Sequence, residues 1–206
     1  PCERSIHLGS GEQLAFSDLV IACGVRPRRI HRLDDALASQ VHTLRTSGDA
    51  ARLREALSRK GRLAVVGGGV LGLEVAATAS SIGCDVTVIE AASNALAAKL
   101  GRTISDRLVA LHGANGVRLR FGTSVVDAES SVEDGRPIAR LRLTDGSIFD
   151  ADDVLVSIGC IPNTDWLAGS GLDSSDGVVC DGFGMASPGI WAAGDVASIP
   201  RAGQFG

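Results

Sequence analysis

One six-residue segment of this 206-residue sequence has the residue types and spacing that bind a dinucleotide. It follows an apolar run and forms a GxGxxG motif: Gly67, Gly68, Gly69, Val70, Leu71 and Gly72. In such a motif the first glycine allows a tight strand-to-helix turn, the second lets the backbone approach a pyrophosphate, and the third lets the helix pack close to the sheet. Backbone amides and the positive end of the helix dipole then face the phosphates. The alternative interpretation is a glycine-rich turn that binds no ligand.

An acidic residue at the end of the next apolar run bears on which dinucleotide would bind. Glu90 is placed to accept hydrogen bonds from the ribose hydroxyls of adenosine. Its carboxylate would repel a 2′-phosphate, and Ala91 and Ala92 follow where an NADP site needs an arginine. Lys99 and Arg102 could reach a 2′-phosphate only if the chain folds back. The sequence therefore favours NAD over NADP.

The elements around the motif predict a strand, a helix and a second strand in succession. Residues 63–66 form an apolar run typical of a strand that is buried on both faces. Residues 70–82 predict an alanine-rich helix that ends at Gly83, and residues 85–90 predict the next strand. This succession is the local context that a dinucleotide-binding turn requires.

Further helices and strands are predicted on both sides of this unit. One helix is expected over residues 49–59, and another from Thr103, with Asp106 three positions later as in a capping box, to His112. From Val117 to about residue 157 the pattern predicts an antiparallel β-meander. Two strands are predicted near the start of the sequence, over residues 3–8 and 13–23, on either side of a turn.

A second candidate site lies near the C-terminal end of the sequence. The apolar run 190–193 is followed by Gly194 and Asp195. A carboxylate at the C-terminal edge of a strand lies where ligands of α/β sheets bind. The alternative is that Asp195 only caps a following helix.

Composition and cysteine spacing exclude several other classes of protein. The formal net charge of −4 and the 3% aromatic content disfavour nucleic-acid binding. The five cysteines have neither the spacing of a metal site nor that of a redox dithiol, so they are interpreted as small buried hydrophobic residues in a reducing compartment. No apolar run is long enough to span a membrane. The predicted location is the cytoplasm.

Four ordered segments carry a resemblance to a known family: residues 19–28, 65–74, 157–164 and 190–197. Together they resemble the FAD-dependent pyridine nucleotide-disulfide oxidoreductases, and within these the sequence is most similar to the ferredoxin (rubredoxin, putidaredoxin) reductase group. Residues 41–46, Val-His-Thr-Leu-Arg-Thr, are also similar to a segment of that group.

The resemblance implies roles for several residues. Gly24 and Asp195 would contact FAD, Asp195 through its ribityl chain. Glu74 would lie near the nicotinamide of NAD, and Gly159 with Pro162 would form a loop that closes over this cofactor.

The resemblance also implies a domain organisation. The fold would be α/β, with a Rossmann-like NAD-binding domain and a β-meander over residues 59–157. Residues 1–58 and 158–206 would be partial FAD-binding domain segments that meet in space. The chain thus looks like an internal fragment of a longer enzyme.

Three functions follow from these expectations. The first is an NADH-dependent flavoprotein reductase that passes electrons through FAD to a ferredoxin-type iron–sulfur protein. The second is an NADH oxidase or disulfide-reductase relative, whose redox cysteine would lie upstream of this sequence. The third is a non-catalytic NAD-binding module, because the isolated chain is expected to bind NAD(H), hold FAD weakly and not turn over.

Overall fold

The computed structural model describes residues 4–94 and 96–200. The chain divides into two compact units. One unit contains the described residues of Pro1–Arg26 and Cys160–Gly206, and the other is Pro27–Gly159. Residues 27–58, which the sequence analysis grouped with the first flanking segment, therefore pack in the second unit.

Seventeen short strands occur in the described residues. They are β1 (Ser5–His7), β2 (Gln13–Ala15), β3 (Leu19–Ile21), β4 (Val25–Pro27), β5 (Val41–His42), β6 (Arg62–Val66), β7 (Asp85–Glu90), β8 (Arg118–Phe121), β9 (Val125–Glu133), β10 (Arg136–Leu143), β11 (Ile148–Ala151), β12 (Asp153–Val156), β13 (Cys160–Pro162), β14 (Val178–Val179), β15 (Met185–Ser187), β16 (Ile190–Ala192) and β17 (Ala197–Ser198).

The α-helices of the described chain all lie in the second unit. They are α1 (His31–Leu37), α2 (Ser47–Ser58), α3 (Val70–Ser81), α4 (Ala97–Leu100) and α5 (Arg102–Ala114). Short 3₁₀ turns cover Ala38–Gln40, Asp165–Leu167 and Gly194–Val196. None of the helices in the described residues is long and apolar enough to cross a membrane.

A five-stranded sheet in the order β5-β12-β6-β7-β8 forms the centre of the second unit, and all its strand pairs are parallel. Successive residues of β6 face opposite sides of this sheet. Val65 packs in a core with Leu73 and Ala76 of α3, and Val66 packs in a second core with Leu33 of α1 and Leu141 of β10. The prediction of a strand buried on both faces is confirmed.

The β-meander consists of β9, β10 and β11, which pair antiparallel. Its predicted start at Val117 is wrong, because β8 pairs parallel with β7 and belongs to the central sheet. The predicted last strand is also two strands, since β12 leaves the meander and runs parallel to β6. Between them, the carboxylate of Asp152 accepts a hydrogen bond of 2.6 Å from the Arg62 backbone. Burial raises the pKa of Asp152, but the hydrogen bonds from Arg62 outweigh it and hold the pKa below its ordinary value.

A buried carboxylate fastens the amino end of β12. Asp153 Oδ1 lies 2.8 Å from His42 Nε2 on β5, and Asp153 Oδ2 accepts a hydrogen bond of 2.8 Å from Arg59, which follows α2. Asp153 is only 5% exposed. These contacts join two neighbouring strands and a helix at the edge opposite to the strands' carboxyl ends.

The helix starts differ from those predicted. Helix α2 begins two residues earlier than expected, where Thr46 and Asp49 form a reciprocal capping box. Helix α5 begins at Arg102 after Gly101 and has no side-chain cap, so the expected capping role of Thr103 is wrong. Asp106 instead accepts a hydrogen bond of 2.6 Å from the Asn94 side chain.

The first unit brings together two segments that lie on either side of the second unit in the sequence. Strand β3 pairs parallel with β16, which itself pairs antiparallel with β15. The expectation that the flanking segments meet is confirmed by this pairing for residues 19–21 and 190–192, but not for residues 27–58, which belong to the second unit. The predicted strand 13–23 is two strands, because β2 pairs with β1 and β3 pairs with β16. Ile21 and Ala192 end β3 and β16 and lie in the buried core of this unit.

The interpretation of the cysteines as buried hydrophobic residues is only partly confirmed. Cys84 and Cys180 are buried, and burial raises the pKa of each thiol. Cys23 and Cys160 are exposed, so the interpretation is wrong for them. Cys2 lies outside the described residues.

Candidate functional site

The first glycine of the motif forms the tight turn that ends β6. Gly67 has φ of 107°, and its amide donates to the carbonyl of Ile89 at 2.9 Å. A Cβ placed on Gly67 would lie 2.3 Å from the carbonyl oxygen of Ser157. Both the left-handed backbone and the neighbouring strand end therefore require glycine here.

The other two glycines have contrasting surroundings. A Cβ on Gly72 would lie 2.1 Å from the carbonyl oxygen of Gly67, so its absence allows α3 to pack directly on the turn. A Cβ on Gly69 would meet nothing within 4 Å. Gly69 is the N-cap of α3, and its carbonyl accepts the first helical hydrogen bond from Leu73 at 3.0 Å. The open space beside Gly69 is the space that a pyrophosphate needs for close approach.

Glu90 accepts two backbone hydrogen bonds, one of which comes from the glycine turn. Its Oε2 accepts from the Gly68 amide at 2.6 Å, and its Oε1 accepts from the Ala92 amide at 2.8 Å. Each carboxylate oxygen retains a second acceptor site, so a ribose hydroxyl can still bind. The Gly68 amide, by contrast, is already engaged. The other predicted phosphate donors are the amides of the first turn of α3, and no side chain caps this end of the helix.

A cleft of about 490 Å³ lies beside the turn, within the size range of small-ligand sites. Four of the predicted site residues line it: Gly67, Gly69, Glu90 and Gly159. The predicted site residues Val70, Leu71 and Glu74 are exposed on the first turns of α3, and Gly68 and Gly72 are buried beneath them. These five are not among the residues that line the cleft.

Ala91 and Lys99, which the sequence analysis weighed in the choice between NAD and NADP, also line the cleft. The sequence reasoning missed the other residues that line it, which are Ile30, Val66, Ile89, Thr123, Ser124, Val125, Ser157 and Ile158. Most of them end or follow β6, β7, β8 or β12. Because these strands are parallel, their carboxyl ends meet at one edge of the sheet, which is where ligands of open α/β sheets bind. That rule could have found them once the strand order was known.

The remaining predicted residues lie in the first unit at the ends of two paired strands. Gly24 follows β3 and has φ of 63°, and its carbonyl accepts from the Asn163 amide at 3.0 Å. Gly194 and Asp195 follow β16, the parallel neighbour of β3. Asp195 lies inside a 3₁₀ turn whose N-cap is Ala193, so the alternative of a helix-capping role is wrong. Pro162 lies in β13, which pairs with β4.

Sequence and structure comparisons identify the class of protein that has this arrangement. Residues 2–205 match the family described as pyridine nucleotide-disulphide oxidoreductase, and the chain belongs to this family. The α/β class and the predicted resemblance are thereby confirmed.

Individual relatives are more specific. The chain is 45% identical over 204 residues to the ferredoxin–NAD(+) reductase component of the p-cumate 2,3-dioxygenase system of Pseudomonas putida, covering 98% of this chain and 49% of that protein. It is 37% identical to the ferredoxin–NAD(+) reductase subunit of the benzene 1,2-dioxygenase system of Pseudomonas putida, covering 96% of this chain and 47% of that protein. Among solved structures, putidaredoxin reductase in its covalent complex with putidaredoxin matches with a TM-score of 0.86 and 34% identity, over 96% of this chain and 48% of that one. The chain thus spans about half the length of the relatives that it matches.

Proposed function

We propose that the second unit binds NADH in the cleft at the carboxyl ends of the parallel strands. The observation that carries the proposal is the open space beside Gly69, next to a helix N-terminus and to the carboxylate of Glu90. A glycine turn with only a structural role would not need an unfilled cleft at this position. Gly69 would face the pyrophosphate, Glu90 would accept the ribose hydroxyls, and Gly159 would lie along the same cleft.

We further propose that Gly24, Gly194 and Asp195 contribute to an FAD site in the first unit. These residues follow two neighbouring parallel strands, and the left-handed backbone at Gly24 and Gly194 favours glycine, which has no side chain to obstruct an approaching ligand. Asp195 would accept hydrogen bonds from the ribityl hydroxyls. A bound flavin would supply the exchange between two-electron chemistry with nicotinamide and one-electron chemistry with an iron–sulfur protein.

The proposed activity of the whole protein is NADH-dependent reduction of a ferredoxin-type iron–sulfur protein in the cytoplasm. The ferredoxin–NAD(+) reductase names of its relatives support this activity. The free state of all four described cysteines supports a reducing compartment. Within this activity, the chain's own residues bind and orient the nucleotide, and Glu74 on α3 is the proposed contact near the nicotinamide.

Calorimetric titration of the 206-residue chain with NADH tests the first part of the proposal. One NADH should bind per chain, and the heat should disappear when the cleft is blocked by prior saturation with NAD(+). Absence of binding at millimolar NADH would contradict the proposal.

The proposed activity is tested separately, on flavin-loaded protein kept without oxygen. NADH should bleach the flavin absorbance, and a ferredoxin should restore it faster than a disulfide or peroxide does. Faster reoxidation by a disulfide or peroxide would favour the disulfide-reductase or NADH-oxidase alternative. Binding of NADH by a chain that holds no flavin would leave the third function, an NAD-binding module.

A further inference from the structure

A second cavity of about 480 Å³ lies in the unit Pro27–Gly159, and its size is also within the range of small-ligand sites. The 3₁₀ turn Ala38–Gln40, strand β5, one face of α2, the start of β10 and the junction of β11 with β12 form its walls. It shares no lining residue with the nucleotide cleft. The cavity is therefore a separate candidate site, at the amino ends of β6 and β12.

Gln40 belongs to the buried wall of this second cavity and offers it a hydrogen-bond acceptor. The residue is only 7% exposed. Its amide nitrogen donates to the carbonyl of Pro137 at 3.2 Å and to that of Asp152 at 3.0 Å, which uses both amide hydrogens and fixes the carboxamide. The oxygen Oε1 takes part in none of the hydrogen bonds among the described residues. Since no side-chain oxygen or nitrogen of those residues is both fully buried and unpaired, Oε1 is open to the cavity.

His42 offers a second acceptor in the same wall. Its side chain is 9% exposed, and its Nε2 lies 2.8 Å from Asp153 Oδ1. A carboxylate only accepts, so Nε2 carries the shared hydrogen, and Nδ1 of the neutral imidazole is an acceptor. Nδ1 has no hydrogen-bond partner in the part of the chain that the structure describes, and it is likewise open to the cavity. Because polar atoms of buried side chains are normally paired, these two acceptors point to a ligand that carries donors.

Two guanidinium groups lie along the rim of the second cavity. Arg52 lies in α2 and Arg59 directly follows this helix, two turns later and on the same face. Between them is Ala56, a buried residue whose short side chain leaves the space open. Nη2 of Arg52 binds Asp49 and Nη2 of Arg59 binds Asp153. The Nε and Nη1 donors of both side chains are left for a ligand.

A third guanidinium, that of Arg136 at the start of β10, completes the rim. The Arg136 side chain is exposed and takes part in none of the hydrogen bonds or ion pairs among the described residues. The lining carboxylates of Asp152 and Asp153 are already engaged by hydrogen bonds from neighbouring side chains. Glu55, the third lining carboxylate, is exposed and can accept from a hydroxyl. The rim therefore offers donors to an anion, and the wall offers acceptors to its hydroxyl groups.

We propose that the second cavity binds a small hydroxylated anion, a class that includes hydroxycarboxylates and hydroxylated phosphate esters. Its carboxylate or phosphate binds the guanidinium groups of Arg52, Arg59 and Arg136, because a guanidinium matches the geometry of both anions. Its hydroxyl group donates to Gln40 Oε1 or His42 Nδ1. This site goes beyond the proposed nucleotide function and does not depend on it.

Calorimetric titration with four probes tests the proposal and distinguishes the two kinds of anion. L-malate and succinate differ in one hydroxyl group, and glycerol 3-phosphate and inorganic phosphate differ in the hydroxylated part. L-malate or glycerol 3-phosphate should bind the 206-residue chain at millimolar concentration. The bound probe should bind about fivefold more tightly than its counterpart without the hydroxyl group, since a hydrogen bond contributes about this factor.

The variant Arg136→Ala tests the rim, and Arg54→Ala is its matched control. Arg136 makes no side-chain hydrogen bond among the described residues, so its removal should leave the fold intact. The bound probe should bind Arg136→Ala about fivefold more weakly, because an exposed ion pair contributes at most about this factor. Arg54 is an exposed residue of α2 that does not line the cavity, so its removal changes the net charge equally. The control should stay within about twofold of the unchanged chain.

Three results would overturn the proposal. They are no binding of L-malate or glycerol 3-phosphate at millimolar concentration, equal binding with and without the hydroxyl group, and an equal loss of affinity in the Arg136 and Arg54 variants. Prior saturation with NADH should leave the affinity for the anion unchanged, whereas displacement by NADH would place the anion in the nucleotide cleft and also overturn the proposal. A chain that binds the anion but not NADH would contradict the proposed function and support this inference.

Discussion

Replacing Glu90 by glutamine should destabilise the second unit even when no nucleotide is present. The carboxylate accepts one N–H from the Gly68 amide and one from the Ala92 amide. A glutamine carboxamide has the same shape but a single acceptor oxygen, so its NH₂ group must face one of the two donors. The variant therefore loses an ionic hydrogen bond and leaves an N–H group, at Gly68 a buried one, without an acceptor.

The expected magnitude follows from these two losses. A hydrogen bond to a charged group contributes about 1.5–3 kcal/mol, and an unsatisfied buried donor costs about 1–3 kcal/mol. Because one bond is retained and the chain can relax, we expect the free energy of unfolding to fall by about 2 kcal/mol. For a chain of this length this corresponds to a decrease in Tm of about 4–8 °C.

Urea denaturation can be followed separately in the two units. All α-helices of the described residues lie in Pro27–Gly159, so the helical circular-dichroism signal reports the unit that contains Glu90. Both tryptophans, Trp166 and Trp191, lie in the other unit, so their fluorescence provides an internal reference. The matched control is Glu55→Gln, because the exposed Glu55 side chain accepts none of the hydrogen bonds found among the described residues. Equal helical stability of the Glu90 and Glu55 variants, within about 0.5 kcal/mol, would refute the reasoning.

Three further substitutions test the turn and the opposite edge of the sheet. Gly69→Ala should fold with a stability within about 1 kcal/mol of the unchanged chain, because its Cβ meets nothing within 4 Å. It should nevertheless bind NADH at least about tenfold more weakly in calorimetry, and an unchanged affinity would show that the pyrophosphate does not lie there. Gly67→Ala should lose at least about 3 kcal/mol of stability in urea denaturation, because its Cβ would lie 2.3 Å from the Ser157 carbonyl oxygen and its backbone has a left-handed φ. A stable variant that binds nucleotide would contradict that geometry. Asp153→Ala should lower the free energy of unfolding by about 2–4 kcal/mol, because it leaves the His42 side chain without its partner. NADH affinity should not change, because this pair lies at the edge of the sheet far from the cleft. An unchanged urea midpoint would show that this carboxylate is not needed for stability.

Local features of the site could be predicted from sequence to a large extent. The strand, turn and helix around the glycine motif occupy consecutive residues, and the role of Gly72 depends on its contact with Gly67 within that segment. The capping box of α2 is equally local, yet the sequence analysis predicts a capping box at Thr103, whereas the structure has one at Thr46 and Asp49. A capping pattern is ambiguous by itself, because glycine can also be the N-cap of a helix. A threonine just after that glycine, such as Thr103 in α5, then lies inside the helix and does not cap it.

The sequence alone determined the glycine turn, the carboxylate at the end of the following strand and the membership of the oxidoreductase family, because each depends on short spacings or on ordered motifs. Only the tertiary structure decided which residues share the cleft. The parallel sheet places β12 beside β6 although most of the unit separates them in the chain, and that neighbourhood brings Ser157 to Gly67. The segment that follows β7 likewise places Lys99 in the cleft that Glu90 lines. Such contacts arise from strand order and left-handed turns, which the period of a local pattern does not encode.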